Sequence, residues 1–133
     1  MGRKTFGIRA LFVAVAVSAA SVAHGQSNGS GIGYPSPLAA MQALRARPDV
    51  AFSIQNGWII ASDKANMTIW SFSPTCDPTF PTAVKRQVMK SAGEIYIDTN
   101  ILCGGTQAAC DALSAQFKAL NQAAKQNLNS PLP

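Results

Sequence analysis

Three cysteines, one histidine, six carboxylates and a short basic cluster are the side chains of this 133-residue chain that could carry chemistry. Cys103 and Cys110 form the clearest pair. The expected elements put Cys103 at the end of a strand on its inner side and Cys110 early in a helix on its inner side, with the Gly104-Gly105 turn between them. A bond between them would pin that helix to the sheet. No Cys-x-x-Cys spacing occurs, so a redox-active pair is disfavoured. Three cysteines permit three single bridges, and a bond from Cys76 to Cys103 or Cys110 stays open. The preferred pairing leaves Cys76 a free thiol beside Asp77, between Pro74 and Pro78. A nucleophilic thiolate needs a cationic neighbour or a general base, and this neighbour is an acid. An inert thiol is therefore the leading reading, followed by a mixed or intermolecular disulfide, with catalysis last.

Other chemistries are excluded by count and spacing. His24 is the only histidine and lies at the extreme N-terminal end, so Ser-His-Asp and Cys-His sites have no base. A zinc site would need all three cysteines or scattered carboxylates, a poor ligand set. The acids form no cluster for calcium or magnesium. Glu94 and Asp98 share a strand face and could mimic a glycosidase pair, but a turn-side Glu and a strand Asp read as solvated. Gly29 to Gly33 precedes no strand–helix unit and is linker, not a phosphate loop. The expectation is no catalytic residue, no metal and no cofactor. Arg86, in the Lys85-Arg86 and Lys90 cluster, is a candidate anion anchor. Its competing role is that of a core-rim arginine satisfied by a carboxylate or by helix carbonyls.

The elements that would position these residues follow from periodicity. Ser36-Pro37 reads as an N-cap with proline at the first helical position. Leu38, Met41 and Leu44 follow at helical spacing, Arg45 and Arg47 complement the helix C-terminus, and Pro48 ends it. From Val50 the period becomes two. Asn56-Gly57 is a strong hairpin signal and would pair Ile54 with Ile59 and Phe52 with Ala61. A polar turn at residues 63–66 leads to a third strand, with Ile59 opposite Trp70. The proline-rich loop Ser73–Thr82 follows. A hairpin about Ala92-Gly93 would pair Val88 with Ile97 and Val84 with Ile101. Thr106 caps a last helix with Cys110, Leu113, Phe117 and Leu120 on one face. No helix separates consecutive strands, so a parallel crossover sheet is disfavoured. The predicted fold is α+β and two-layer: an antiparallel five-stranded meander flanked by an N-terminal and a C-terminal helix, both packed on it.

The ends of the chain are read separately. Arg3, Lys4 and Arg9 precede an uncharged run from Ala10 to Ala23 that ends in small residues, the pattern of a secretory signal peptide over residues 1–25. Cleavage fits after Ala23 or, preferably, after Gly25. Removing it takes three of the eleven basic residues and leaves eight against six acids. That balance disfavours nucleic acid. The apolar run is also short for a membrane span, so no stable insertion is expected once it is gone. The expected location is periplasmic or secreted, where disulfides persist. Residues 26–33 read as disordered linker, 34–127 as the single domain and 128–133 as a frayed tail.

One expected feature points to function. The face intended for the helices collects Phe52, Ile54, Ile59, Trp70, Phe72, Val84, Val88, Ile95, Ile97 and Ile101. The other collects Trp58, Ile60, Met67, Ile69, Met89 and Tyr96, too apolar for a solvated face. Trp58, Ile60, Met67 and Ile69 are the candidate interaction surface, extended by Phe80 from the proline loop. Cover by the first helix or the loop is the competing explanation.

Several segments together, Gly57-Trp58, Ile69 to Pro74, Pro81 to Arg86, Cys103 to Asp111 and Phe117 to Asn121, resemble a family of small secreted proteobacterial proteins of unassigned function. The likeness spans roughly residues 34–128. Some relatives carry a DnaJ-type molecular chaperone label. That label does not match these residues: a J-domain is helical and needs a His-Pro-Asp loop, whereas the middle of this chain reads as β and has no such tripeptide. Cys76-Asp77-Pro78 stands where a His-Pro is expected in relatives. The resemblance supplies no catalytic residues.

The resulting expectation is a non-enzymatic periplasmic binding or interaction module, engaging a protein or envelope component. The alternatives are a thiol-dependent redox protein or enzyme acting through Cys76, and an inhibitor that inserts loop 73–82 into a target. Secretion into an oxidising compartment, followed by intact-mass and thiol mapping, is expected to give a chain starting at Gln26, one Cys103–Cys110 bond and one unmodified thiol at Cys76. A chain-to-chain bond at Cys76 would contradict that expectation.

Overall fold

The computed structural model describes residues 31–131. The signal-peptide assignment and most of the linker assignment lie outside them. Helix α1 spans Pro37–Arg45, strands β1 to β3 span Ala51–Gln55, Trp58–Asp63 and Thr68–Phe72, strands β4 and β5 span Thr82–Ser91 and Glu94–Cys103, and helix α2 spans Gln107–Asn129. The five strands form one antiparallel sheet in the order β1-β2-β3-β4-β5. The class is α+β: a five-stranded meander with one helix before it and one after.

Turn chemistry sets much of the register. Asn56 and Gly57 both take positive φ, as do Ala92 and Gly93. That is the type I′ geometry whose twist matches antiparallel strands, and it yields the expected Ile54–Ile59, Phe52–Ala61, Val88–Ile97 and Val84–Ile101 pairs. The β2–β3 register differs by two residues: Ile59 faces Phe72, and Ala61 faces Trp70. The cause is a 3-10 turn at Lys64–Asn66 followed by Met67 in the left-handed region, which carries β2 on to Asp63 before the chain reverses. A shift of two preserves the sheet face.

The faces are where sequence and structure part. Trp70 pairs with Lys85 and Ile69 with Arg86. The face holding Phe52, Ile59, Trp70 and Phe72 therefore continues through Ala83, Lys85 and Gln87. Val84, Val88, Ile95, Ile97 and Ile101 lie on the opposite face, and Met89 and Tyr96 on the first. This reverses the expected assignment of those seven residues. The Ser73–Pro81 connection is too long for turn chemistry to transmit register from β3 to β4, and a one-residue difference exchanges every side chain.

Helix packing is two-layer, helix on sheet, at each helix, but the helices take opposite faces. On the first face, Ala40 and Leu44 of α1 join Ile32, Val50, Ala61, Trp70, Phe72 and Ala83 in the core. Trp70 lies 6.2 Å from Phe72 in a stacked pair and 5.8 Å from Tyr34 edge-on. Ser36 caps α1, its Oγ accepting from Ala39 N at 3.0 Å. Leu38 is exposed, contrary to the expected stripe, and Ala40 takes the inward position. Ile32, assigned to the linker by composition, is 1% exposed and belongs to the core. Ile54, expected inside, is 75% exposed on edge strand β1, whose residues are all exposed. At the other end of the chain, Leu128 and Asn129 are helical, and Asn129 binds the backbone of Ile95 through both atoms of its amide (Nδ2 to O 2.9 Å, Oδ1 from N 3.2 Å). Helix α2 thus extends past the expected start of the tail by two residues.

One polar cluster ties the first face together. Arg47 lies past the end of α1 and acts through its side chain, not as a dipole complement. Its Nη1 and Nη2 donate to Asp63 at 2.6 and 3.0 Å, and its Nε and Nη2 donate to Asp49 at 3.2 and 2.6 Å. Asp63 is 3% exposed and also accepts from Asn66 N and Nδ2, capping the 3-10 turn. The α1–β1 connection is thereby clamped to the β2–β3 turn. The Arg47 guanidinium holds the carboxyl of Asp63, and that of Asp49, below the usual carboxylate range, and Asn66 adds to the effect at Asp63. A carboxyl depressed in the folded state stabilises the fold above its unfolded pKa, and that contribution disappears as pH falls through the folded value. Urea unfolding of the protein should therefore lose midpoint as pH drops below about 4. Asp63→Asn should show a lower midpoint near neutrality and a flatter acid limb. An unchanged midpoint and an unchanged limb would remove the clamp from the account of stability.

Candidate functional site

Helix α2 is fastened to the sheet mainly along β5, with Arg86 of β4 adding one further tie. At its start, the Cys103–Cys110 disulfide joins the end of β5 to the first turns of the helix, with the Cα atoms 5.9 Å apart. Thr106 caps this end, its Oγ1 accepting from Ala109 N at 3.2 Å. Midway, Asn121 Nδ2 donates to Thr99 Oγ1 at 2.5 Å. At its far end, Asn129 engages Ile95 as described, and Lys125 pairs with Glu94 at 3.2 Å. The helix therefore runs along the β5 side of the second face and leaves β2 and β3 partly open there, with Trp58 and Ile60 half-buried.

The result is an open groove of about 730 Å³. Trp58, Ile60 and Ile69 line its floor; Leu113, Phe117 and Leu120 of α2 line one wall; and Asp77, Pro78 and Thr79 of the proline loop close one end. Ile69 is 44% exposed. A smaller hollow of about 570 Å³ lies on the other side of α2, against Ile97, Ile101, Lys118 and Lys125. Tyr96, Ile97 and Ile101 line it, and none of the candidate interaction residues Trp58, Ile60, Met67, Ile69 and Phe80 does.

The proline loop is a braced rim. Ser73 N donates to Thr82 O at 3.2 Å and Ser73 Oγ accepts from Thr82 N at 3.0 Å. Asp77 Oδ1 accepts from both the amide (2.9 Å) and the hydroxyl (2.6 Å) of Thr79. These bonds hold its carboxyl below the usual range, with Thr79 the main cause and Trp58 the least. Gly104 and Gly105 let the end of β5 press against this loop: a Cβ on Gly105 would strike Pro78 O and Thr79 Cα, and one on Gly104 would strike Pro81. The pair serves close approach as well as ending the strand.

Arg86 sits inside the groove on β4, directly across from Ile69 on β3 and Thr99 on β5. Its Nε donates to Asn121 Oδ1 at 3.1 Å, and its guanidinium lies 5.6 Å from the Phe117 ring centroid. Among the described residues the ion pairs are Arg47–Asp49, Arg47–Asp63 and Lys125–Glu94, so Arg86 has no carboxylate partner there. Neither competing partner foreseen for it, a carboxylate or helix carbonyls, is the one used. An amide and an aromatic face hold it instead. Partial burial lowers its pKa from the ordinary guanidinium value, and a guanidinium remains charged nonetheless. Thr99 is its cross-strand neighbour, whereas Trp70 lies on the other face, where Lys85 covers its ring at 5.7 Å.

The expected interaction surface is thus partly assembled. Trp58, Ile60 and Ile69 meet in the groove. Met67 sits in the β2–β3 turn, exposed and outside the groove lining, and Phe80 is 42% exposed on the loop but also outside it. Phe117 and Leu120 belong to the site although periodicity alone marked them only as the inner face of a helix. Cys76 is free, exposed and apart from the groove. Among the described residues, no three His, Cys, Asp or Glu side chains gather to hold a metal, and no helix is long and apolar enough to cross a membrane. Comparison with family models, with curated proteins and with solved structures gives no match.

Replacing both Cys103 and Cys110 by Ser should lower unfolding free energy by about 2 kcal/mol, the entropic value for so short a loop. It should also raise amide exchange in residues 106–113 before the rest of α2. Exchange spread evenly along the helix would show that the bond does not anchor its start.

Proposed function

We propose that the chain is a secreted, periplasmic or extracellular, non-enzymatic binding module whose working surface is the groove between α2 and strands β2 and β3. One observation carries this reading: Trp58, Ile60 and Ile69 form an apolar floor that stays open although a 23-residue helix packs on the same face. A sheet face built for solvent would alternate to polar residues, and a face built for the core would lie under the helix. The groove's volume falls in the range of small-molecule sites, roughly 300–1,000 Å³. Its polar residues include Ser62 and Ser71, which flank the apolar residues on the floor, and Arg86, which can orient a ligand. The lack of histidine in the described chain and the commitment of Asp77 to Thr79 leave Cys76 without a base beside it. That supports binding over thiol chemistry.

The braced loop favours a second reading. Residues 73–82 hold Phe80 outward on a hydrogen-bonded frame, a shape suited to insertion into a target enzyme. Under that reading Phe80→Ala costs partner binding and leaves the groove unaffected.

A neutral, polarity-sensitive dye tests the groove. Its fluorescence should rise on adding the protein. Ala112→Trp, which fills the groove from an exposed helix position, should abolish the rise, and Ala119→Trp, outside the groove lining, should not. Equal response from both variants, or no response from the native chain, would refute the groove as the binding surface.

A further inference from the structure

We propose that the groove binds a free fatty acid, with its acyl chain on the Trp58–Ile60–Ile69 floor and its carboxylate on Arg86. The proposal rests on the groove being the binding surface and adds the class of ligand it takes.

Charge complementarity is the first argument. Arg86 is the one cation lining the groove and Asp77 the one acid. Asp77 already accepts two hydrogen bonds from Thr79, whereas Arg86 has no carboxylate partner among the described residues. Its Nε is taken by Asn121, which leaves the Nη1–Nη2 edge for an incoming group. That edge is a two-donor fork matched to the two oxygens of a carboxylate. The fork is also held in place: Asn121 is itself bonded to Thr99, and Phe117 lies against the guanidinium plane. Little side-chain freedom remains to be lost on binding.

The second argument is what the floor cannot offer. Strands β2, β3 and β4 are each paired on both sides, so their backbone groups are engaged within the sheet. The α2 wall is hydrogen-bonded within the helix. An extended peptide would find only side-chain partners there, such as Ser62, Ser71 and Gln116, for a continuous run of N–H and C=O groups, and each group left unpaired is costly. An acyl chain brings none.

Length is the third argument. The lining wall runs from Ala109 at the loop end to Leu120. At roughly 1.5 Å per helical residue this is about 16 Å. An extended chain advances about 1.2 Å per bond, so an acyl chain of about 12–14 carbons matches the wall.

Displacement of the neutral dye by dodecanoate, dodecanol and dodecylamine, each below its micelle concentration, tests the proposal. The native protein should prefer the acid to the alcohol by about tenfold, the scale of one charge-assisted contact, and should bind the amine most weakly. Arg86→Gln should still bind dye but show acid and alcohol as equals. Ile69→Glu supplies a second route that leaves Arg86 in place. It sets a carboxylate directly across from Arg86 on an exposed position and should likewise erase the preference for acid. Equal displacement by acid and alcohol in the native protein, with dye binding intact, would overturn the fatty-acid assignment and leave the groove as a binding surface. Tighter binding of an apolar peptide with a free C-terminus than of dodecanoate would overturn it in favour of a protein tail. Absence of dye binding would remove the groove itself.

Discussion

The fastening of α2 along one side of the sheet, chiefly to β5, is the constraint on which the site depends. A disulfide at one end, the Asn121–Thr99 contact in the middle and the Asn129–Ile95 amide pair at the other end set the helix along one strand. With its line fixed in this way, the helix cannot slide inward to cover β2 and β3. Trp58, Ile60 and Ile69 therefore stay partly open for a geometric reason, not for want of apolar character. The same attachment places Phe117 and Asn121 over Arg86, which turns a strand arginine into an oriented donor.

The first face does the complementary work. Its core of Leu44, Ala40, Ile32, Trp70, Phe72 and Ala83 is closed by α1 and by the segment leading into it. The Arg47–Asp63–Asp49 cluster locks the α1–β1 connection onto the β2–β3 turn. A nearly buried carboxylate such as Asp63 is tolerated only because guanidinium and amide donors surround it. With this face sealed independently of α2, the second face is free to be left partly open, because stability does not require the groove to be filled.

Much of the fold was legible in the residues. Asn56-Gly57 and Ala92-Gly93 marked both hairpins, Ser36 and Thr106 marked both helix starts, and the pairings nearest those turns follow from turn geometry. Legibility ended where chain connections lengthen. The β2–β3 turn took one more residue of β2 than its polar composition indicated, and the proline loop concealed the parity between β3 and β4. Val84, Ile97 and Ile101 consequently changed faces relative to Trp70. The site shared this fate. Trp58, Ile60 and Ile69 precede the loop and were grouped correctly, while Met67 and Phe80 failed to join them because each sits in a non-strand segment whose direction period-two reasoning cannot fix. Arg47 was read by its nearness to a helix end, when its partner Asp63 lies sixteen residues on.

The sequence by itself determined the elements, their order, the two tight turns and the chemistry excluded by a single histidine and dispersed acids, because these depend on local backbone preference and on counts. It also marked Cys103 and Cys110 as the pair best placed to bond. Tertiary structure alone decided which face each helix covers, that Ile32 is core and Ile54 is not, and that Arg86 meets Asn121 and Phe117 inside an open groove. Those outcomes depend on register carried across a long loop and on where a helix is tied down. Both are non-local, and no spacing along the chain encodes them.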